Sequence, residues 1–541
     1  MVTVMGTVTV PEPTPPAGKP GARFMVAGPR PLALAVLLAG LFWGSPVLAQ
    51  QSLASGQKPS WVIVPRISLT ETFTDNGNLN SARGGGGSEQ ITQITPGIRI
   101  QGESARLKAN IDYGLSKLYY AQHSQANKTQ NSLNAQGTFE AIENWLFLDA
   151  GGNISQTSIS AFGTQSSSNV SINSNSTETS SFRFSPYTRG RLSDFAEYLV
   201  RYTRSTTRSD GSTSTNTDSD EWSANLHGGV GFGGLSWSFD ALRQDIQRST
   251  GRNNESERLF GNLYWEPARQ WRFRISAGRE TNNFTSPDKE TRTTHGYGLD
   301  WRPTDRTNVS AFRERRFFGD GHSFTVTHRT PLSSWRFSDT KDVSAMHQSG
   351  STVVGTIYDL FLALVPASVT DPLDRAAVAN AAIQGLGLSP DQRVYSDFLS
   401  SQATLSRRQD LSFALIGANN TVTFTASQSR RQALANQSLA LFDLNLSLAS
   451  EIEQRGLNIN WSHKLSPLSS LSAGASASTT SGQNGTAGNV RSTQKSMNVT
   501  YSTKLGAHTS ASLGLRRTVF ESDTANHYSD NSVTGAISAQ F

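Results

Sequence analysis

From residue 61 to the C-terminus, apolar and polar residues alternate in run after run, and no other property of this chain restricts its fold so tightly. In 105–119 the odd positions read Ala105, Leu107, Ala109, Ile111, Tyr113, Leu115, Lys117 and Tyr119. Between them stand Arg106, Lys108, Asn110, Asp112, Gly114 and Ser116. A period of two places the first set on one face of an extended strand and the second on the other. Trp271, Phe273, Ile275 and Ala277 repeat the pattern against Arg272, Arg274 and Ser276, and Leu457, Ile459 and Trp461 oppose Asn458, Asn460 and Ser462. A soluble sandwich would alternate as well. These runs, however, exceed the roughly five or six residues of globular strands and approach the roughly 9–11 that cross a bilayer at a tilt.

Connections separate into two kinds. Short ones fall at Glu143-Asn144, 266–269, 303–306, 417–420, Ser466-Pro467 and Gly506-Ala507. Long polar ones fall at 74–90, 121–132, 156–178, 205–220, 247–256, 281–293, 431–451, 480–489 and 521–530. Short turns on one side and long loops on the other are the layout of an outer-membrane barrel. Following the chain up and down predicts an all-β fold over 61–541: a large antiparallel transmembrane β-barrel of about 22 strands, within a range of about 18–24. An even count also puts both termini on the short-turn, periplasmic side.

Composition agrees with this reading. Charged residues make up 17% of the 541, against roughly 25% in soluble domains, and Ser, Thr, Asn and Gln fill the difference. Aromatic residues, at 9%, are too many for a disordered chain. Cysteine is absent, which excludes thiolate catalysis and thiolate metal sites. The net charge of +6, carried mostly by Arg, reads either as a polar surface or as an anion-attracting interior.

Both ends carry addresses. Residues 31–49 form an apolar stretch behind Arg23 and Arg30, with Val47 and Ala49 at the cleavage-site positions before Gln50. This reads as a secretory signal peptide over 1–49, with Met25 as an alternative start. Gly44, Ser45 and Pro46 cut the apolar run short of a membrane span. Residues 50–60 are then a short periplasmic lead-in. At the other end Val533, Gly535, Ile537, Ala539 and Phe541 share one face, and the final residue is aromatic. That pattern is similar to the signal read by the barrel assembly machinery of outer membranes.

One stretch, 344–401, breaks the rhythm. Residues 356–365 are apolar, and 371–388 predict a helix capped by Asp371, with Pro372 at its first position and Gly385 or Gly387 at its end. A helix cannot face lipid between barrel strands, so this insert is expected outside the membrane or inside the lumen. Its apolar residues need cover, which favours an inward constriction over an extracellular cap.

Catalytic constellations are not apparent. His322 and His328 lack a third metal ligand nearby, and the run Gly84 to Gly87 reads as a flexible loop because no helix follows it. No cofactor, metal or nucleic-acid partner is expected. The candidate functional residues are basic ones on the polar faces: Arg106, Lys108, Arg183, Arg201, Arg272 and Arg274. In a barrel they face the lumen, where guanidinium groups favour an anionic or hydroxyl-rich chain. Alternatively they pair with Asp112, Glu197 and Asp240 and simply fill the barrel.

A series of short motifs follows in order along the mature chain. Trp61-Val-Ile-Val-Pro65, Thr74-Asp75-Asn76, Asp112-Tyr113, Tyr119-Tyr120 and Trp145-Leu-Phe-Leu-Asp149-Ala150 come first. Asp371-Pro372-Leu-Asp-Arg375, Arg407-Arg408-Gln409, Gln454-Arg455-Gly456 and Trp461-Ser462-His463-Lys464-Leu465-Ser466-Pro467 follow. In these the chain resembles a family of outer-membrane proteins associated with PEP-CTERM/exosortase systems of Gram-negative bacteria, found beside exopolysaccharide genes. The Ser/Thr-rich loops at 156–178 and 205–220 have no counterpart in that family. The resemblance implies a role in export or display of extracellular polysaccharide and sorted surface proteins. With no catalytic constellation in the sequence, the expectation is a non-enzymatic conduit or scaffold for export of extracellular polysaccharide. Its expected partners are outer-membrane lipid, the barrel assembly machinery and the exported polysaccharide. The rival readings are a general diffusion porin for small polar solutes, a surface adhesin and a barrel hydrolase.

Overall fold

A computed structural model describes residues 61–79, 87–210, 216–229, 233–345, 398, 402–434, 444–485 and 488–541. The signal peptide, the lead-in, Gly84 to Gly86 and the expected helix at 371–388 lie outside the described residues.

Twenty-two strands make up the described chain. The first six are β1 (Trp61–Thr74), β2 (Glu89–Glu103), β3 (Leu107–Tyr120), β4 (Lys128–Ile142), β5 (Leu146–Ser158) and β6 (Ser176–Leu192). Next come β7 (Ala196–Ser209), β8 (Thr217–Gly229), β9 (Leu235–Arg248), β10 (Asn254–Ala268), β11 (Trp271–Asn282) and β12 (Glu290–Thr304). β13 (Thr307–Arg316), β14 (Gly319–Arg329), β15 (Ser333–Ser344), β16 (Thr404–Ile416) and β17 (Asn420–Ala433) follow. The last five are β18 (Glu451–Lys464), β19 (Ser469–Gly485), β20 (Gly488–Lys504), β21 (Thr509–Ser522) and β22 (Tyr528–Gln540). Each pairs antiparallel with its sequence neighbour, and β22 closes on β1, so that no edge is left open. At a strand spacing of about 4.8 Å and a tilt of about 40°, a ring of this size is roughly 40–45 Å across between backbones.

The alternation is realised as two environments. On β18, Leu457 and Ile459 are 39% and 41% exposed on the outside, while Asn458 and Asn460 are 1% and 5% exposed on the inside. Val533 and Ile537 lie on the outer face of β22, opposite Phe73 and Leu69 of β1. The Phe541 amide donates to the Pro65 carbonyl at 2.9 Å, pinning the terminal residue beside the first strand.

All the expected short turns lie at one end of the ring and all the expected long loops at the other. The turns after β4 and β6 are each closed by one hydrogen bond, Trp145 and Phe195 donating back to the carbonyls of Ile142 and Leu192. Positive φ falls at the second central residue in the first turn (Asn144, 56°) and at the first central residue in the second (Ser193, 53°). Positive φ is tolerated by Asn better than by most residues. Tryptophan marks the same end. Trp61, Trp237, Trp265, Trp271, Trp301, Trp335 and Trp461 all stand within three residues of the short-turn strand ends, and Trp145 lies in a turn. Gly102 makes room for one of them, since a Cβ there would fall 2.1 Å from the Trp61 ring. Such an aromatic girdle belongs at a membrane interface.

Candidate functional site in the barrel lumen

Among the described residues, the segment that turns inward over the lumen is the β5–β6 loop; nearly all of the insert expected at 344–401 lies outside the described residues. Residues 159–175 first fold on themselves. Asn175 accepts from the Ser160 amide at 2.8 Å and donates to the Ser160 carbonyl at 2.9 Å, while Gln165 donates to the same carbonyl at 2.9 Å. Asn173 donates to the Thr164 carbonyl at 3.0 Å. The Ser, Thr and Asn content of this loop thus satisfies its own backbone, which a loop leaving water requires.

The loop then crosses the mouth. Its Ala161 and Phe162 pack with Leu446 and Ala449 from the β17–β18 connection, Ile452 of β18, Val490 of β20 and Phe398. From β18 through the seam to β5 is nine steps in a ring of 22, near the maximum of eleven, so this contact spans the lumen. Hydrogen bonds fix it on both sides. Asn445 accepts from the Ala161 amide at 2.8 Å, Thr524 donates to the Phe162 carbonyl at 3.0 Å, and Tyr528 donates to the Gln165 carbonyl. Ser167 meets Thr518 at 2.7 Å, and Tyr120 donates to the Val170 carbonyl at 2.6 Å. A second cluster, Ile91, Leu118 and Tyr120, covers Val170 and Ile172. Phe398, bridged to Ser158, is the part of the 344–401 insert seen in this packing.

Below the loop the lumen has two dissimilar walls. From β5 to β13 the inner face carries arginines laid over aromatic rings: Arg189 over Phe147, Arg201 over Tyr187, Arg258 over Phe260, Arg272 over Tyr264 and Arg274 over Phe312, at 3.9–4.5 Å. Carboxylates interleave with them. Arg201 pairs with Asp149 at 2.8 Å, Arg316 with the fully buried Glu280 at 2.6 Å, and Arg258 with Glu314. Near the periplasmic end of β8–β11, Asn225, Asp240, Asn262, Tyr264, Arg272 and Arg274 line part of a recess of ≈ 790 Å³.

Across the ring, β17–β20 present no charge between their rims. Every inward position from Thr421 to Ser429, Gln454 to Ser462, Ser470 to Thr480 and Ser492 to Ser502 is Ser, Thr, Asn, Gln or Gly. Buried polar atoms of Thr423, Ser427 and Asn458 find no partner among the described residues.

The six candidate residues scatter over this scheme. Arg272 and Arg274 meet at the recess: Arg274 donates to Asn262 at 2.9 Å, and Arg272 pairs with Glu266 at 3.1 Å. Arg201 belongs to the aromatic wall. Arg183 faces the lumen with no ion pair among the described residues. Lys108 sits near the periplasmic rim against Glu103 at 2.8 Å. Arg106 is a correction: it stands in the periplasmic turn before β3, so the alternation was carried one step past the strand end. The expected partners also differ. Asp112 takes Arg66 and Arg99, Glu197 takes Arg191, and Asp240 accepts from Asn225 and Asn262. His322 and His328 lie on the outer face, bonded to Asp339 and Thr307.

No family model and no curated protein matches the sequence. Solved structures do. The FrpB iron transporter from Neisseria meningitidis (F5-1 variant) superposes with a TM-score of 0.50 at 9% identity, over 90% of this chain and 83% of its own. This protein is an outer-membrane β-barrel. Its greasy exterior, girdle and closed ring require that placement independently of the likeness. The siderophore receptor PirA from Acinetobacter baumannii gives a TM-score of 0.46 at 6% identity, over 88% of this chain and 80% of its own. A BenF-like porin from Pseudomonas fluorescens Pf-5 gives 0.36 at 7% identity, over 88% and 99%. At 9% identity the likeness to FrpB speaks for the barrel fold and for nothing that passes through it.

Proposed function

We propose that this outer-membrane barrel conveys a hydroxyl-rich polymer, an exported polysaccharide, past the constriction formed by the β5–β6 loop. The uncharged hydroxyl and amide wall of β17–β20 carries this reading. Such groups exchange hydrogen bonds with sugar hydroxyls on nearly equal footing with water, so a chain is held weakly at each point and slides. Charges on that wall would either hold an acidic chain or demand desolvation. The arginine–aromatic wall opposite supplies guanidinium groups for carboxylates and flat faces for sugar rings. The resemblance to PEP-CTERM/exosortase-associated barrels supports the same cargo.

Deleting the gene and weighing extracellular polysaccharide tests the proposal: a fall in amount or chain length is expected, and unchanged values overturn it. In planar bilayers the full-length protein should conduct little until the loop is released. A large steady conductance from the wild type identifies a diffusion porin instead.

A further inference from the structure

The outer surface of the barrel carries a row of basic side chains that the lumen has no use for. Arg313, His322, Lys341, Arg407 and Arg430 stand directly opposite one another on five consecutive strands, β13 to β17. Their outward direction follows from register, because the same faces carry Phe324, Trp335, Phe337, Phe413 and Phe424 below them. Like charges directly opposite on one face of a sheet repel, and neighbouring strands lie only about 4.8 Å apart. Counter-charge on these strands is incomplete. The outward faces of β13–β17 hold five cations, Arg313, Arg315, Lys341, Arg407 and Arg430, against two carboxylates, Asp320 and Asp339, which leaves +3 without the histidines.

Asp320 takes Arg313 at 2.7 Å, and Asp339 takes Arg407 at 2.8 Å and His322 at 3.0 Å. Arg430 reaches Glu451 of the next strand at 3.0 Å. Lys341, in the middle of the row, forms no ion pair among the described residues. The arginines remain about half exposed despite their pairs, so their forks keep free donors.

Height decides what this row meets. It lies on the long-loop side of the apolar band, above the outward rings of Phe324 and Phe337. Side chains at that level face neither hydrocarbon nor open water but the headgroups of the outer leaflet. We propose that the outward face of β13–β17 binds a phosphorylated glycolipid of the outer leaflet, its phosphates taken by Lys341 and the flanking guanidinium groups. Guanidinium and phosphate pair in bidentate geometry, and a phosphate placed among these side chains removes the repulsion along the row. Attraction of each basic side chain to an anionic lipid surface is worth about a fivefold gain in affinity.

The test uses the full-length barrel reconstituted in phosphatidylcholine bilayers containing bisphosphorylated lipid A or its dephosphorylated form, with retained glycolipid measured after detergent extraction. The wild type should retain the phosphorylated form selectively. Lys341→Gln should weaken retention about fivefold and Lys341→Arg should restore it; Arg313→Gln with Lys341→Gln and Arg407→Gln should weaken it about a hundredfold. Lys341 joins no ion pair among the described residues, so its replacement should leave folding intact, and heat-modifiability on gels verifies that. Equal retention of the dephosphorylated glycolipid, or full retention by Lys341→Gln, overturns the proposal. Displacement by inorganic phosphate at the same concentration also overturns it, because the site would then be one for the free ion.

Discussion

Replacing Phe162 by Ala should release the β5–β6 loop from the far wall. The side chain is 2% exposed and packs among Phe398, Leu446, Ala449, Ile452 and Val490. Truncating a Phe in such surroundings costs about 3–5 kcal/mol. The lower figure applies here, since water can enter from the mouth. The hydrogen bonds to Asn445, Thr524, Tyr528 and Tyr120 remain, each contributing roughly 0.5–1.5 kcal/mol. Ordering the loop opposes them at roughly 1–2 kcal/mol per residue. Docking is therefore a narrow balance between opposed free energies, and losing about 3 kcal/mol shifts the docked-to-released ratio about a hundredfold. Single-channel recording in planar bilayers would show this as a comparable rise in the time spent in large-conductance steps. The natural chain has no cysteine, so a control is at hand: Ser167→Cys with Thr518→Cys, whose hydroxyls lie 2.7 Å apart. Oxidation should hold the Phe162→Ala protein closed, and reductant should open it. If the crosslinked, the Phe162→Ala and the wild-type proteins all conduct alike, the loop is no constriction.

Other outcomes follow from the same geometry. Arg316→Met should lower the unfolding midpoint of the barrel in urea by the equivalent of about 3–5 kcal/mol, because Glu280, 0% exposed, would lose its partner; adding Glu280→Gln should recover most of the loss. Ser193→Gly should raise the same midpoint by about 1 kcal/mol and Asn144→Val should lower it by a similar amount, since both positions have φ above +50°. Thr425→Lys places a charge on the hydroxyl wall and should reduce polysaccharide export in cells while leaving heat-modifiability on gels unchanged. Equal export would remove that wall from the mechanism.

What the sequence reveals follows the range of each signal. Strand identity and facing direction are local, and the alternations at 271–277 and 457–462 locate the outer faces of β11 and β18 correctly. Strand number follows because short turns and long loops take turns along the chain. Pairing depends on register between distant segments, which no local pattern encodes. Asp112 finds Arg66 from 46 residues away and Arg99 beside it. The β5–β6 constriction is hidden for another reason. Its anchor is only Ala161-Phe162 within a polar loop, whereas the apolar run at 356–365 is longer and stands out. The tryptophan girdle is present in the sequence, and becomes visible only when each Trp is measured from its nearest short turn.

Closure at the seam sets the order of assembly. Fourteen residue pairs join β1 to β2, but nine join β1 to β22, and the Thr72–Thr534 bond across it closes 462 positions of chain. Until that zipper engages, the growing sheet ends in two raw edges that would template onto any other extended chain. Bringing such remote ends together is slow on its own. The physical task left to any assembly factor is thus narrow: shield the first and last strands, keep them near each other, and let the ladder between them form last.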